Sequence, residues 1–401
     1  MIFTKPFVPS VVYNPLSKIY KFMWPFTTKE NNEIRELAKS FAQKEIAPIA
    51  QQLDDEEIFS VELTQKMGKA GLFGIDIPKK YGGQGLTTLS YIIAVEEIAR
   101  IDASQAATMA AHNSLGIAPI YKFGSEAQRR AILPKLCNGE NLWAFGLTEE
   151  NAGCDAKGAE TTAQLTNNQW VINGTKRYIT NGGNKLTAGI TLLAITGEKD
   201  DKKEYSTILA PYTEKGITTE NMKGKMMWRA SDTSKVEINN VSVPQENLLG
   251  ARGKGMSQML ETLDSGRLSI AAMGLGLAKG AFNEAKNYSK ERKQFGAPLA
   301  SFQSISFSLA DMALKIELAE NMLYKACWLK DNGQPFGKEA AMAKLYCSDV
   351  AFEVADGAMQ IFAGAGLFKN RLIERFYRDQ RILRIGEGTS EVLKMVIFRS
   401  L

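Results

Sequence analysis

The chain has 401 residues, enough for two or three domains and a large core. With 44% hydrophobic and 23% charged residues it is an ordinary globular composition, and a net charge of +5, mixed along the chain, suits an acidic or phosphorylated small ligand better than nucleic acid. A single histidine (His112) and four cysteines without CxxC spacing (Cys137, Cys154, Cys327, Cys347) give no support to a metal site or a Ser-His-Asp triad, and reduced thiols are expected.

A leader comes first, 1–29. Its first 28 residues hold four of the twelve prolines, three lysines, no arginine and no acid. Pro6, Pro9 and Pro15 break up any signal-peptide core, and no apolar run is long enough to span a bilayer. The leader reads as a segment packing on its own protein or on a subunit partner, with a membrane-surface contact as the alternative.

Residues 30–145 read as a helical domain. Ile34, Leu37, Phe41, Ile46 and Ile49 recur at helical steps, and Asn31-Asn32 can cap the start. A turn-rich loop, AGLFGIDIPKKYGGQGL, interrupts the pattern before it resumes. Residues 146–250 change texture: β-branched and aromatic runs alternate with Asn-Asn, Asn-Gly and Gly-Gly turn signals, which predicts an antiparallel β domain. Residues 251–401 return to long helices, with one apolar stripe running through Ile305, Leu309, Met312, Ile316, Ala319, Leu323 and Cys327. The layout is helical, then sheet, then helical bundle: an α+β chain.

Four stretches carry possible chemistry. GLGLAKG (274–280) imitates a dinucleotide fingerprint, but its glycines are wrongly spaced and no strand precedes it, so a close-packed helix face is the reading. GLTEENAGCDAKG (146–158) mixes small residues with hydroxyl, thiol and carboxylate; it is a surface turn or a cradle for a flat polar ligand. ERKQFG with SFQSISF (291–307) places Arg292 and Gln303 at adjoining helix ends, where an exposed arginine or a phosphate clamp would both fit. RIGEGTSEVLK (384–394) sets Glu387 between two glycines, as an ordinary loop acid or a carboxylate held bare for catalysis.

Together these blocks resemble the acyl-CoA dehydrogenase family over residues 30–401. GLTEENAGCDAKG is similar to its first signature, and the run from Gln360 through Gly364, Gly366, Asn370 and Arg375 to Asp379 resembles its second. KYGGQGL, NGTKRYITNGG, RASDTSKVEINNVSVPQENLLG and ERKQFG follow in family order. The resemblance implies an N-terminal helical domain, a middle β domain and a C-terminal four-helix bundle. It also implies FAD as cofactor, an acyl-CoA thioester as substrate and an electron-transfer flavoprotein as acceptor. A homo-oligomer, a dimer of dimers, is implied too. No nucleic acid partner is expected. The expected place is the cytoplasm in a bacterium, or the mitochondrial matrix in a eukaryote.

In that resemblance Glu387 is the catalytic base. It takes the α-proton while the β-hydrogen leaves as hydride, and Gly386 and Gly388 let the backbone approach substrate and cofactor. The place where some relatives carry the base is here Gly266. Beside it, Arg267 and Asp264 map toward the CoA end. Thr148, Gly153, Cys154, Tyr178 and Thr180 map to contacts with the flavin ring, Cys154 also to substrate. Arg292, Phe295, Gln303, Gln360 and Gly364 map to adenosine and pyrophosphate contacts across a subunit boundary, with Thr389 and Glu391 beside the same dinucleotide. Ala107, Thr108, Ala110 and Ala111 map to the acyl tunnel, and His112 reads as a satisfied helix histidine. This sequence departs from the pattern at Cys154, usually Ser or Thr, at Ala363, Gln294 and Tyr178, and at Gly386, where many short- and medium-chain members have Tyr. The small residues favour a short-to-medium or branched acyl chain. A non-catalytic or DNA-binding flavoprotein of the same fold, or an oxidase or oxygenase relative, are the alternatives.

Overall fold

The computed structural model describes residues 27–401, so the expectations for the leader before Thr27 lie outside the described residues. Seven helices come first: α1 (Lys29–Phe41), α2 (Ala50–Glu56), α3 (Val61–Lys69), α4 (Thr88–Ala99), α5 (Ala103–Ala111), α6 (Ala118–Phe123) and α7 (Glu126–Cys137). The cap of α1 is Thr28 rather than the Asn pair. Its hydroxyl accepts from the Asn31 N–H at 3.3 Å, and the Asn31 side chain accepts from the Thr28 N–H at 2.8 Å, a reciprocal capping box. All twelve residues of α4 are buried, so this helix is a central post with no wet face. It packs on α1 and on the long helices of the C-terminal bundle.

Seven strands follow: β1 (Leu142–Gly146), β2 (Thr162–Thr166), β3 (Gln169–Thr180), β4 (Thr187–Lys199), β5 (Lys202–Pro211), β6 (Ile217–Asn221) and β7 (Thr233–Pro244). They form one sheet in the order β1-β4-β2-β3-β7-β6, with β5 on β4. The antiparallel expectation holds for β2–β3, β3–β7, β4–β5 and β6–β7, but β1 runs parallel to β4 and β2 touches β4 in the parallel sense. The long connection between Gly146 and Thr187 supplies the crossover that a parallel pair needs. Asn167-Asn168 is the tight turn joining β2 to β3, both residues left-handed at φ 50° and 60°. Asn173-Gly174 is not a turn: it is a register shift inside β3.

The bundle comprises α8 (Gly255–Glu291), α9 (Gln303–Asp331) and α10 (Gly337–Phe362), with α11 (Leu372–Asp379) packed on α8 and α10, and α12 (Ser390–Phe398) on α10. GLGLAKG is continuous helix within α8. A Cβ added at Gly274 would lie 2.8 Å from the Cys347 carbonyl oxygen of α10, so the missing side chain is what lets the two backbones meet. Buried charge ties the N-terminal helices to the bundle. Glu96 of α4, with no exposed surface, accepts from Lys279 of α8 at 2.7 Å and from Tyr324 of α9 at 2.7 Å. Among the described residues no helix is long and apolar enough to cross a membrane.

Candidate active site

Glu387 lies on the turn between a 3-10 helix (Gln380–Arg384) and α12, at φ 54°, followed by Gly388 at φ 104°. A left-handed glutamate is strained and must be held by its surroundings. One face of α10 does this. The Ser348 hydroxyl donates to the Leu383 carbonyl at 3.0 Å, Asp349 pairs with Arg384 at 2.8 Å, and the Lys344 ammonium donates to the Gly388 carbonyl at 2.6 Å.

Across the turn stands Gly266 of α8. A Cβ there would overlap Glu387 Oε2 and lie 2.8 Å from its carboxyl carbon, so only glycine leaves the carboxylate its room. Although the residue as a whole is half-buried, its Oε2 is out of solvent and has no hydrogen-bond partner among the described residues. Lost hydration that is not replaced penalises the ionised form. Burial therefore pushes the Glu387 carboxyl up to about 7, against the opposing pull of Lys344 and Arg267. Arg267 pairs with Asp264 at 2.5 Å, and its own Nε is buried without a hydrogen-bond partner among the described residues.

Three buried hydroxyls adjoin this place. Tyr91 of α4 and Ser114 both donate to the Ala110 carbonyl, at 3.1 and 2.7 Å, and Ser269 donates to the Gly266 carbonyl at 2.7 Å. Ala107, Thr108 and Ala110 are buried on α5 beside them. His112 is spent on structure: its Nδ1 accepts from the Trp143 N–H at 3.3 Å and its Nε2 donates to the Leu136 carbonyl at 3.0 Å. Burial drives it down to about 4, so the ring stays neutral.

The loop leaving β1, Gly146–Gly158, is fixed from below by Glu149. This carboxylate accepts from Lys176 at 2.6 Å, from the Thr161 hydroxyl at 2.6 Å, and from the N–H groups of Glu160 and Thr161. Lys176 is fully buried and also donates to the Leu193 carbonyl at 2.9 Å, so burial pulls it down to about 8 while Glu149 holds its proton. At the loop's tip Gly153 faces open space and the exposed Cys154 thiol reaches the Thr389 hydroxyl at 4.0 Å, which brings the first signature against the Glu387 turn. The Thr148 carbonyl accepts from the Arg177 N–H at 2.9 Å. Next on β3, at a second register shift, Tyr178 is left-handed (φ 58°) with 60% of its surface exposed, and Thr180 is half-buried beyond it. Thr389 caps α12 and Glu391 stands exposed in its first turn.

The remaining predicted residues gather elsewhere. Arg292 caps the end of α8 and leads into a hairpin (Lys293–Gln294 with Ala297–Pro298) whose tip carries Phe295 at φ 50° and 96% exposed. Gln303 opens α9, Gln360 is exposed near the end of α10, and Gly364 faces open space just beyond. Tyr288 stacks on Phe362 at 4.2 Å, joining these two helix ends. Arg292 lies 25 residues beyond Arg267 on α8 and its cap, about 38 Å at about 1.5 Å per residue. The predicted site residues therefore form two groups on this chain, one around Glu387 and one at the far end of the bundle.

Sequence reading missed Lys344, Ser348, Tyr91, Ser114 and Ser269. Only Lys344 left a signal: a lone cation on the apolar face formed by Ala340, Ala341, Cys347 and Ala351.

Profiles for the N-terminal, middle and C-terminal domains of acyl-CoA dehydrogenase match residues 28–140, 144–241 and 253–401. The chain belongs to the acyl-CoA dehydrogenase family. A short-chain specific acyl-CoA dehydrogenase of Clostridium acetobutylicum is 42% identical over 370 residues, covering 92% of this chain and 97% of its own. The solved butyryl-CoA dehydrogenase of Megasphaera elsdenii superposes with a TM-score of 0.91 at 40% identity, over 93% of this chain and 98% of that one. An acyl-CoA dehydrogenase of Bacillus anthracis, solved in complex with FAD, gives 0.87 at 32% identity, over 94% of this chain and 68% of that one. The activity is that of the family: FAD-dependent α,β-dehydrogenation of an acyl-CoA thioester, with an electron-transfer flavoprotein as acceptor.

The residues present fit that cofactor. Tyr178 and Phe295 are aromatic and left-handed, with 60% and 96% of their surfaces exposed, so each has apolar surface left to pack against a flat ligand. Gly153 and Gly364 leave backbone open to close approach.

Proposed function

We propose that Glu387 is the base of this acyl-CoA dehydrogenase and that its substrate is a short straight-chain acyl-CoA. The observation that carries the assignment is the buried Oε2 of Glu387, without a hydrogen-bond partner among the described residues and set against Gly266. The α-proton of a thioester is weakly acidic, so a hydrated carboxylate is a poor base for it. Desolvation brings the proton affinity of Glu387 close to the working pH, where a general base is most effective. Its own backbone N–H has no acceptor among the described residues and is free to meet negative charge developing on the thioester oxygen. Gly386 and Gly388 keep side chains away from that contact. Arg267 and Asp264 hold the CoA side of the cleft, and Ala107, Thr108 and Ala110 line the acyl side.

FAD, when bound, supplies the two-electron acceptor for the hydrogen leaving the β carbon. Thr148, Gly153, Cys154, Tyr178, Thr180, Thr389 and Glu391 would hold it on one chain. Arg292, Phe295, Gln303, Gln360 and Gly364 would hold its other end from a second copy, because on a single chain they lie too far from Glu387 to share one site. The working unit is thus a homo-oligomer.

Two features support a short acyl chain. The buried hydroxyls of Tyr91, Ser114 and Ser269 stand beside Gly266, and two of the three compared relatives are named short-chain and butyryl-CoA dehydrogenases. The test is anaerobic flavin bleaching of the purified holoenzyme with butyryl-, octanoyl-, palmitoyl- and isovaleryl-CoA, beside Glu387→Gln. Butyryl-CoA should bleach fastest and Glu387→Gln should not bleach. Fastest bleaching with palmitoyl-CoA would refute the chain length, and full bleaching by Glu387→Gln would refute the base.

A further inference from the structure

We infer that Lys344 is a positioning residue for the dehydrogenation, holding the base turn in its left-handed shape and keeping Glu387 ionisable near neutral pH through its charge. The inference rests on Glu387 being the base, as proposed above.

Lys344 has no exposed surface, although a lysine is among the residues least often buried. Its ammonium donates to the carbonyl of Gly388, the residue directly after the base, at 2.6 Å. Gly388 at φ 104° and Glu387 at φ 54° are the two left-handed residues of the turn. The bond therefore grips the strained segment at its far side. Ser348, one helical turn further along α10, grips the near side through the Leu383 carbonyl. Both clamps come from one rigid helix that packs along α8, the helix bearing Gly266. The base is thereby fixed against the glycine that gives it room.

A hydroxyl or an amide could make the bond to Gly388 without the cost of burying a charge. What an ammonium adds is its field. The charged and titratable groups facing Glu387 are few: Arg267 of α8, paired with Asp264, Lys344 of α10 and Tyr91 of α4. Asp349 of α10 and Glu391 of α12 act on Lys344, and Lys394 of α12 acts on Glu391. Arg267 is largely neutralised by Asp264 at 2.5 Å, whereas Lys344 makes no ion pair with a carboxylate among the described residues. Burial draws Lys344 down to about 8, and the neighbouring Glu387 opposes that fall, so each charge favours the other. Without Lys344 the carboxylate would retain its proton to higher pH, and base turnover would be lost on the acid side.

The experiment is the pH profile, from 5.5 to 9.5, of the anaerobic bleaching rate with butyryl-CoA. It compares FAD-loaded wild type, Lys344→Met, Lys344→Gln, Lys344→Arg and Ser348→Ala. Removing a nearby positive charge moves a carboxylate by about one pH unit or more. Lys344→Met should raise the midpoint of the acid limb by about one unit, an approximately tenfold loss of rate below it. Lys344→Gln keeps a donor for Gly388 and loses the charge, so it should shift the midpoint equally while recovering more of the plateau rate. Lys344→Arg should return the midpoint toward wild type. Ser348→Ala loosens the same turn without changing charge, so its rate should fall with the midpoint in place. If Lys344→Met does not fold, the comparison of Lys344→Gln with Ser348→Ala decides. An unmoved midpoint in the neutral variants, with Glu387→Gln inactive, overturns the role of Lys344 and leaves the base standing. An active Glu387→Gln overturns the base itself.

Discussion

Replacing Glu387 by Gln should stabilise the folded protein at alkaline pH while removing its activity. Burial raises the Glu387 carboxyl to about 7 in the folded chain, whereas an unfolded glutamate titrates near about 4.3. A group whose folded pKa is raised contributes its stability below the unfolded value, and that contribution is lost as pH rises through the folded value. Ionising Glu387 in place thus costs almost nothing at pH 4 and, by pH 8, about 4 kcal/mol at roughly 1.4 kcal/mol per pH unit. Glutamine carries no charge at any pH, so the variant escapes this cost. It also places an amide where Oε2 has no partner among the described residues, a penalty of about 1–3 kcal/mol that does not change with pH. The diagnostic is therefore the slope and not the sign at one pH. Thermal unfolding of FAD-loaded wild type and variant, from pH 5 to 9, should show the variant gaining a few degrees on wild type as pH rises, with most of the gain between pH 5 and 7.5. A difference in midpoint that is flat across this range, or that falls with pH, would refute the desolvated state of Glu387 and with it the physical basis of the base assignment.

Gly266→Ala puts a methyl group into the Glu387 carboxylate, displacing it by a fraction of an ångström or more. The bleaching rate should fall about a hundredfold while CoA-thioester binding changes little, because misplacing a reacting group by about 1 Å costs that much; a rate within threefold of wild type would show that the contact is unimportant. Cys154→Ser replaces a weak donor at the tip of the first signature loop, where the thiol reaches only Thr389 at 4.0 Å. A hydroxyl should improve FAD retention about two- to tenfold, the worth of one neutral hydrogen bond, read by equilibrium dialysis of the flavin. Unchanged or weaker retention would mean that the thiol is not at the cofactor.

How much of this could be read from the sequence differs between elements for physical reasons. The stripe through Met312, Ile316, Ala319, Leu323 and Cys327 was legible because α9 buries one face, and period alone reports such a face. α4 carries almost no amphipathic signal because all of it is buried, so its central position became visible only through its partners. β1 falls almost wholly inside the segment expected to be helical and pairs in parallel, since a strand of five residues fixes neither direction nor partner until the crossover is in place. Glu387 itself was legible only through the family signatures: locally it is a glutamate between glycines, and its meaning lies in what faces it.

What faces it shows why the supporting residues stayed hidden. Gly266 matters by lacking a side chain, and an absence acquires a sense only beside the group it makes room for. Lys344 is the opposite case: a charge on an apolar helix face is a local contradiction, visible in the sequence, whose resolution is distant. Buried ammonium groups are costly unless paired, so such a lysine predicts an acceptor somewhere, though not which one. Here the acceptor is a backbone carbonyl in the turn that carries the proposed base. The contradiction at Lys344 and the strain at Glu387 are therefore two halves of one arrangement: the helix accepts a buried charge, and that charge is bonded to the left-handed turn whose carboxylate is proposed to take the proton.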